Sequence, residues 1–326
     1  MSKVDISIII VSFNTRDLVR ACLESITAVD QRCLYEIVVI DNNSDDGTAD
    51  MLESEFTAVK CIRNRVNAGF GRANNQGARC VSGEYLLFLN SDTILQSDSL
   101  LKMLRFARSA TNVAAIGPKV LNEDLSVFHS CRSAATLLNQ LSSLIPLVNR
   151  YFPDRFQVNI REEAFYQSTQ EVEFMWGACL MIKRDVFLQC GGFDERFFMY
   201  FEEADLLLRL RKAGFKNVYY PEASVVHLGG GSSRKVFDRC YRQLYLSRLV
   251  FFRKHHGILK TALLWTGTLI LAFVRLMIYG VASAVSAERR ALCVEECRRS
   301  FLIIRGYCSG RSGLEREDKA IRSPSV

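Results

Sequence analysis

One unit recurs four times in the first hundred residues: a short apolar run, a polar cluster, then a stretch with helical spacing. The runs are Ile6-Ser7-Ile8-Ile9-Ile10-Val11, Glu36-Ile37-Val38-Val39-Ile40, Val59-Lys60-Cys61-Ile62-Arg63 and Tyr85-Leu86-Leu87-Phe88-Leu89. Near-continuous apolar runs mark strands buried on both faces, and alternation with helices predicts an α/β fold with a parallel sheet covered on both sides. In such sheets ligands bind beyond the carboxyl ends of the strands. Those ends carry Ser12-Phe13-Asn14-Thr15, Asp41-Asn42-Asn43-Ser44-Asp45-Asp46-Gly47-Thr48, Asn67-Ala68-Gly69-Phe70-Gly71 and Asn90-Ser91-Asp92. The functional site is therefore expected along one sheet edge rich in carboxylates and amides.

The middle third is less regular. Residues 176–182 read as a strand, Gly191-Gly192-Phe193-Asp194-Glu195 as a turn, and residues 198–213 as a helix ended by Gly214. Residues 224–227 read as a last strand, ending at His227 before Gly229-Gly230-Gly231-Ser232-Ser233.

Composition bounds the function classes. A chain of 326 residues with 49% hydrophobic side chains and 24% charged ones is neither disordered nor fibrous, and suggests about two domains. Eleven cysteines with no C-x-x-C pair point to a reducing cytosolic compartment with buried thiols. The net charge of +7 is uneven: residues 1–228 sum to −4 and residues 229–326 to +11. An anionic membrane or a polyanion is the partner such asymmetry suggests. The basic part holds a long apolar run and no recognition module, which argues against nucleic acid.

That run covers residues 258–287. Its uncharged stretch, 261–274, is 14 residues long and falls short of the roughly 20 that span a bilayer. Continuing through Arg275 reaches spanning length, but a mid-span Arg costs about 2.5–3.5 kcal/mol on insertion scales. A helix lying in the interface, flanked by Arg253, Lys254, Lys260, Arg289, Arg290, Arg298 and Arg299, fits better. A buried helical hairpin is the alternative. Residues 311–326 are expected to be a disordered tail.

Several residues are suited to chemistry. Asp92, at a strand end, suits a divalent ion held against a diphosphate, because hard oxygen ligands favour Mg²⁺ or Mn²⁺. It also suits the N-cap of a helix at 93–101. Asp41 fits either a turn or an acceptor for a base N–H or ribose hydroxyl. The Gly69 and Gly71 segment before a helix permits close approach of a phosphate. Glu202, Glu203 and Asp205 crowd one helix start, where the macrodipole favours acids and where a general base could also sit. Trp176 offers either a platform for a sugar ring or core packing.

In this order the motifs, with Asn74-Asn75, Gly177-Ala178 and Arg209, Arg211 and Gly214 after the acidic cluster, resemble the family-2 inverting glycosyltransferases. The resemblance covers about residues 4–235 and is strongest to the bacterial rhamnosyltransferase-like branch. It implies a GT-A fold, Rossmann-like and mostly parallel, in residues 1–235, with a nucleotide-sugar half (1–118) and an acceptor half (119–235). Residues 236–310 would be a membrane-associating helical extension. The implied donor contacts are Val11, Ser12, Asn14, Asp41, Asn67, Gly69, Asn74, Asn90 and Ser91. The implied metal ligands are Asp92, at the family's DXD position with Asn90 for its first Asp, and His227, for Mn²⁺ or Mg²⁺. Glu203 falls on the family's base position, with Glu202 and Asp205 as alternatives, and Trp176 and Gly177 would meet the acceptor. The implied activity is inverting transfer from a nucleotide sugar, such as dTDP-L-rhamnose, to a saccharide or polyprenyl-diphosphate-linked acceptor. The setting would be the cytoplasmic face of the cell membrane. A non-catalytic nucleotide-sugar binder is the competing reading, because Glu203 stands where Asp is expected.

Overall fold

The computed structural model describes residues 4–28, 33–145, 148, 159–229, 237–285 and 290–322, with side chains as far as Cys308. The chain divides into two compact units: Met1–Ala134 with Asn159–Phe198 and Glu202–Lys235, and Ala135–Val158 with Met199–Phe201 and Val236–Val326. The second unit thus includes 135–158 and 199–201, which the sequence placed in the acceptor half.

In the first unit, β1 (Ile6–Ser12) lies parallel between β2 (Tyr35–Asp41) and β4 (Tyr85–Asn90), with β3 (Lys60–Arg63) parallel outside β2. The runs of β1, β2 and β4 are buried as expected, with Ile6, Ile8, Ile9 and Ile10 fully so, whereas the edge strand β3 has no buried residue. One face, with Ile8, Ile10 and Val39, shares a core with Val19, Cys22, Leu23 and Ile26 of α1 (Arg16–Ala28). On the other face, Gly77 of α3 (Phe70–Arg79) meets Ile9, Val38 and Ile40. The short α2 (Thr48–Glu55) links β2 to β3.

Beyond Asn90 the parallel expectation is corrected. β5 (Thr93–Leu95) follows at once, and α4 (Ser99–Ser109) leads to β6 (Val113–Leu121). β10 (Cys179–Lys183) then runs antiparallel to both β4 and β6. β11 (Lys216–His227) is parallel to β6 and antiparallel to β5 and to β8 (Gln170–Glu171). The sheet is therefore mixed. The chain reaches β10 after a long excursion rather than by a helical crossover, so nothing in the local pattern encodes that strand's direction. The expected strand at 176–182 is also split. β9 (Phe174–Met175) pairs with β7 (Cys131–Arg132) in a separate ribbon, and a turn at Gly177-Ala178 precedes β10. The helix expected from 198 starts later, as α7 (Glu202–Lys212), preceded by the short α6 (Arg184–Gln189).

The second unit is helical: α5 (Leu137–Ser142), α8 (Phe237–His255), α9 (Gly257–Val285) and α10 (Arg290–Arg322). Its core gathers Leu144, Tyr245, Ala272, Ile303 and Tyr307. Arg248 is buried there. It donates to the Thr268 and Tyr307 hydroxyls at 3.1 Å and lies 4.4 Å from the Tyr245 ring. Residues 199–201 belong here because Ser247 Oγ donates to the Met199 carbonyl and Phe201 packs on Phe251. The tail expected to be disordered from 311 continues as helix to Arg322, and residues 323–326 lie outside the described residues.

Candidate active site

Parallel register aligns three strand ends. Ser12 is opposite Asp41, and Val11 is opposite both Ile40 and Asn90. The expected edge thus exists, and its loops are tied together. The Ser12 and Thr15 hydroxyls lie 3.0 Å apart, and Thr15 donates to Ser91 at 3.2 Å. Asn14, in the left-handed region at φ 55°, receives the Asp45 N–H on Oδ1 and gives its own N–H to Ser44. Asp41 is 3% exposed; its Oδ2 accepts from Ser44 N–H at 3.1 Å, while Oδ1 is buried without a partner. A buried acceptor with no donor costs about 1–3 kcal/mol, so this oxygen is suited to a ligand N–H or O–H.

Asp92 is not an N-cap, since Thr93 enters β5 and α4 begins only at Ser99. The β5–β11 pairing places His227 opposite Thr93, and His227 Nε2 stands 3.2 Å from Asp92 Oδ1. Both side chains are nearly buried, and the Leu228 N–H closes the turn on the Asp92 carbonyl. A carboxylate beside an imidazole is a two-ligand set suited to Mn²⁺ or Mg²⁺ if further oxygens come from a diphosphate and water. Among the described residues no group of three His, Cys, Asp or Glu converges. The Gly230-Gly231-Ser232-Ser233 part of the loop after His227 lies outside the described residues.

The glycines before α3 serve a different contact from the one expected. Gly69 has φ +83°, and a Cβ there would collide with the Phe198 carbonyl. That carbonyl accepts the Phe70 N–H at 2.8 Å, and Asn67 Oδ1 accepts the Gly69 N–H at 3.0 Å. Protein acceptors thus take the Gly69 and Phe70 N–H groups at the helix start where a phosphate was expected. Asn74, buried, turns its amide onto the Phe70 carbonyl of its own helix.

The three acids of α7 face three different environments. Glu202 packs toward Gly71, with a buried and unpartnered Oε2. Burial, and then the neighbouring Glu203 charge, push its carboxyl well above the usual range. Glu203 packs beside Gly177, and its Oε2 is also buried and unpartnered. Burial raises its carboxyl too, but the Arg132 charge opposes that rise. Asp205 has no exposed surface and is held by Arg209 Nε at 2.8 Å. Arg209 also donates to the Cys190 and Gly192 carbonyls. Asp205 is therefore committed to fastening the Gly191-Gly192 turn, which corrects its place among the base candidates. The chain enters α7 through Tyr200 and Phe201, at φ 69° and 66°, rare for aromatic residues.

Arg132 is the residue the sequence did not reveal. Strand pairing sets it opposite Phe174, two residues before Trp176. Its guanidinium stacks 4.7 Å from the Trp176 ring, and its Nε is buried without a partner. Trp176, half-buried, meets Phe128 edge-on at 4.8 Å, and Phe128 in turn reaches His227 at 6.3 Å. An aromatic row therefore joins the Asp92 end of the site to the Glu203 end. Arg132 lies in a two-residue strand within an irregular stretch, so no periodicity marks it.

Comparison with known proteins gives a consistent picture. Residues 7–191 match the family described as Glycosyl transferase family 2. The chain is 29% identical over 243 residues to the N-acetylglucosaminyl-diphospho-decaprenol L-rhamnosyltransferase of Mycobacterium tuberculosis, covering 71% of this chain and 78% of that one. It is 28% identical over 243 residues to Rhamnosyltransferase WbbL of Escherichia coli K12, covering 72% and 88%. Among solved structures, mannosyltransferase PcManGT from Pyrobaculum calidifontis, in complex with GDP-Man and Mn²⁺, superposes with a TM-score of 0.55. That match has 15% identity over 94% of this chain and 88% of that one. GalNAc-T7, with UDP, GalNAc and Mn²⁺, gives 0.53 at 17% identity, covering 70% of this chain and 44% of that one. The fold is GT-A.

Proposed function

The chain belongs to glycosyl transferase family 2, and from that premise we propose that it carries out inverting transfer of a sugar from a nucleotide-sugar donor to a saccharide or polyprenyl-diphosphate-linked acceptor. L-Rhamnose is the proposed sugar and dTDP-L-rhamnose the proposed donor, because two relatives are rhamnosyltransferases. The observation that carries the reading is the Asp92–His227 pair at 3.2 Å, on the sheet edge where Ser12, Asp41 and Asn90 also end.

In this reading Asp41 Oδ1 accepts a hydrogen bond from the nucleoside, and Ser12, Asn14, Asn90 and Ser91 border the donor. Asp92 and His227 would hold Mn²⁺ or Mg²⁺. When bound, that ion neutralises charge developing on the leaving diphosphate. Glu203 takes the proton of the attacking acceptor hydroxyl, and a single displacement inverts the anomeric carbon with no enzyme nucleophile. Arg132 favours the ionised form of Glu203, while burial and the neighbouring Glu203 charge, with no such cation opposing them, push Glu202 further toward its protonated form. The Trp176 and Gly177 turn borders the acceptor.

The acceptor is proposed to be lipid-linked, and the protein to work on anionic lipid at the cytoplasmic face of the membrane. Helix α9 supports this: it is 29 residues long and apolar, and most of its apolar side chains are exposed. The test is product formation from dTDP-, UDP- and GDP-sugars with Mn²⁺ and a polyprenyl-diphosphate N-acetylglucosamine acceptor. A rhamnosylated lipid of inverted anomeric configuration is expected. No product with any donor would overturn the reading.

A further inference from the structure

Helix α9 is divided lengthwise. At about 100° per residue, Leu259, Leu263, Ile270, Phe273, Met277 and Val281 fall on one side. Each is at least half exposed. Leu264, Thr268 and Ala272 fall on the opposite side and are buried. Arg275 shares the buried side, where it pairs with Glu296 and donates to the Leu144 carbonyl at 3.2 Å. The charge that counted against insertion is thus turned away from the apolar stripe and neutralised.

The neighbouring helix separates lying from spanning. α10 runs antiparallel along α9: Arg290 Nε donates to the Ser283 carbonyl and Cys297 Sγ to the Leu276 carbonyl. Ile303 and Tyr307 share a core with Ala272. If α9 crossed a bilayer, α10 would cross beside it. Arg298, which is 54% exposed, and exposed Arg305 would then sit in hydrocarbon. Charge is also arranged for a surface. Between Asp238 and Glu288 there is no acid but seven Lys or Arg. Arg253 and Lys260 are exposed at one end of α9 and Arg290 beyond the other. Basic residues at both ends suit two ends at the same headgroup level, not one end on each side of a membrane.

We propose that α9 lies in the plane of an anionic bilayer surface, sunk along the stripe from Leu259 to Val281, with α10 on its water side. This rests on the membrane association proposed above and fixes its geometry.

The test uses the full chain, with Trp176 and Trp265 replaced by Phe and one Trp returned at position 259, 270 or 281. Vesicles of equal parts phosphatidylglycerol and phosphatidylcholine carry bromines at graded depths, and quenching reports each depth. Lying in plane, the three tryptophans are equally shallow. Spanning, position 270 is deeper than the other two by about 16 Å, from the helical rise of 1.5 Å per residue. That result would overturn the orientation while leaving membrane association standing. Failure to float with vesicles would overturn both, as would a stable dimer that leaves no vesicle-bound fraction. Met277→Asp, monodisperse and helical by circular dichroism, is expected to weaken vesicle binding by about tenfold or more. Unchanged binding would exclude the stripe as the docking surface.

Discussion

The acids at the strand ends and the acids at the start of α7 are positioned by different means. Asp41 and Asp92 end β2 and the β4–β5 turn, and the register of parallel strands alone brings them to one edge. Glu202, Glu203 and Asp205 sit within one turn of helix, where backbone geometry makes them near equivalents. They differ by what other segments set against them: Gly71 for Glu202, Gly177 and Arg132 for Glu203, Arg209 for Asp205. Sheet topology assigns the first pair; tertiary packing assigns the second set.

The sharpest way to break this distinction is at Glu203. Glu203→Gln should lower kcat by about 10²–10⁴-fold, the usual contribution of a positioned base. Glu202→Gln should lose far less in the same single-turnover assay. Equal losses would make the two acids interchangeable. Asp205 is next. Arg209→Met removes the guanidinium paired with this fully buried carboxylate and should cost about 3–5 kcal/mol of stability in urea unfolding. A loss under about 1 kcal/mol, the range of an exposed pair, would return Asp205 to the base candidates.

A subtler effect is expected at Arg132. Its charge opposes the burial that raises the Glu203 carboxyl. In Arg132→Met the acidic limb of the kcat/KM profile should therefore move to higher pH, and Arg132→Lys should restore part of the shift. A limb that stays put would reduce Arg132 to packing on Trp176. The smallest effect is on stability at Glu202. A carboxyl raised above its ordinary 4.5 in the folded state stabilises fully below that value and loses this contribution as pH rises through the raised one. Glu202→Gln should therefore raise the urea midpoint at about pH 7 and leave it unchanged at about pH 4. The same midpoint shift at both values would show that the carboxyl is not perturbed.

The same contrast explains what could be read from the sequence. β1, β2 and β4 were legible because a strand buried on both faces must be apolar throughout, and polar residues at its end stand out. Asp41, Asp92 and His227 follow from that pattern. The direction of β10 was not legible, because an antiparallel strand buried on both faces looks like a parallel one. Gly69 was legible as a close approach, but not that a carbonyl from Phe198 makes it. Arg132 carries no local signal; only the pairing of β7 with β9 puts it beside Trp176.

Calorimetric titration of dTDP-, UDP- and GDP-sugars, with and without Mn²⁺, bears most directly on the pairing of Asp92 with His227 at the strand ends. At least one nucleotide sugar should bind more tightly with Mn²⁺, and Asp92→Ala should abolish that enhancement while remaining folded. Affinity independent of Mn²⁺, or an enhancement that survives in Asp92→Ala, would contradict the assignment of Asp92 and His227 as the residues that hold the ion.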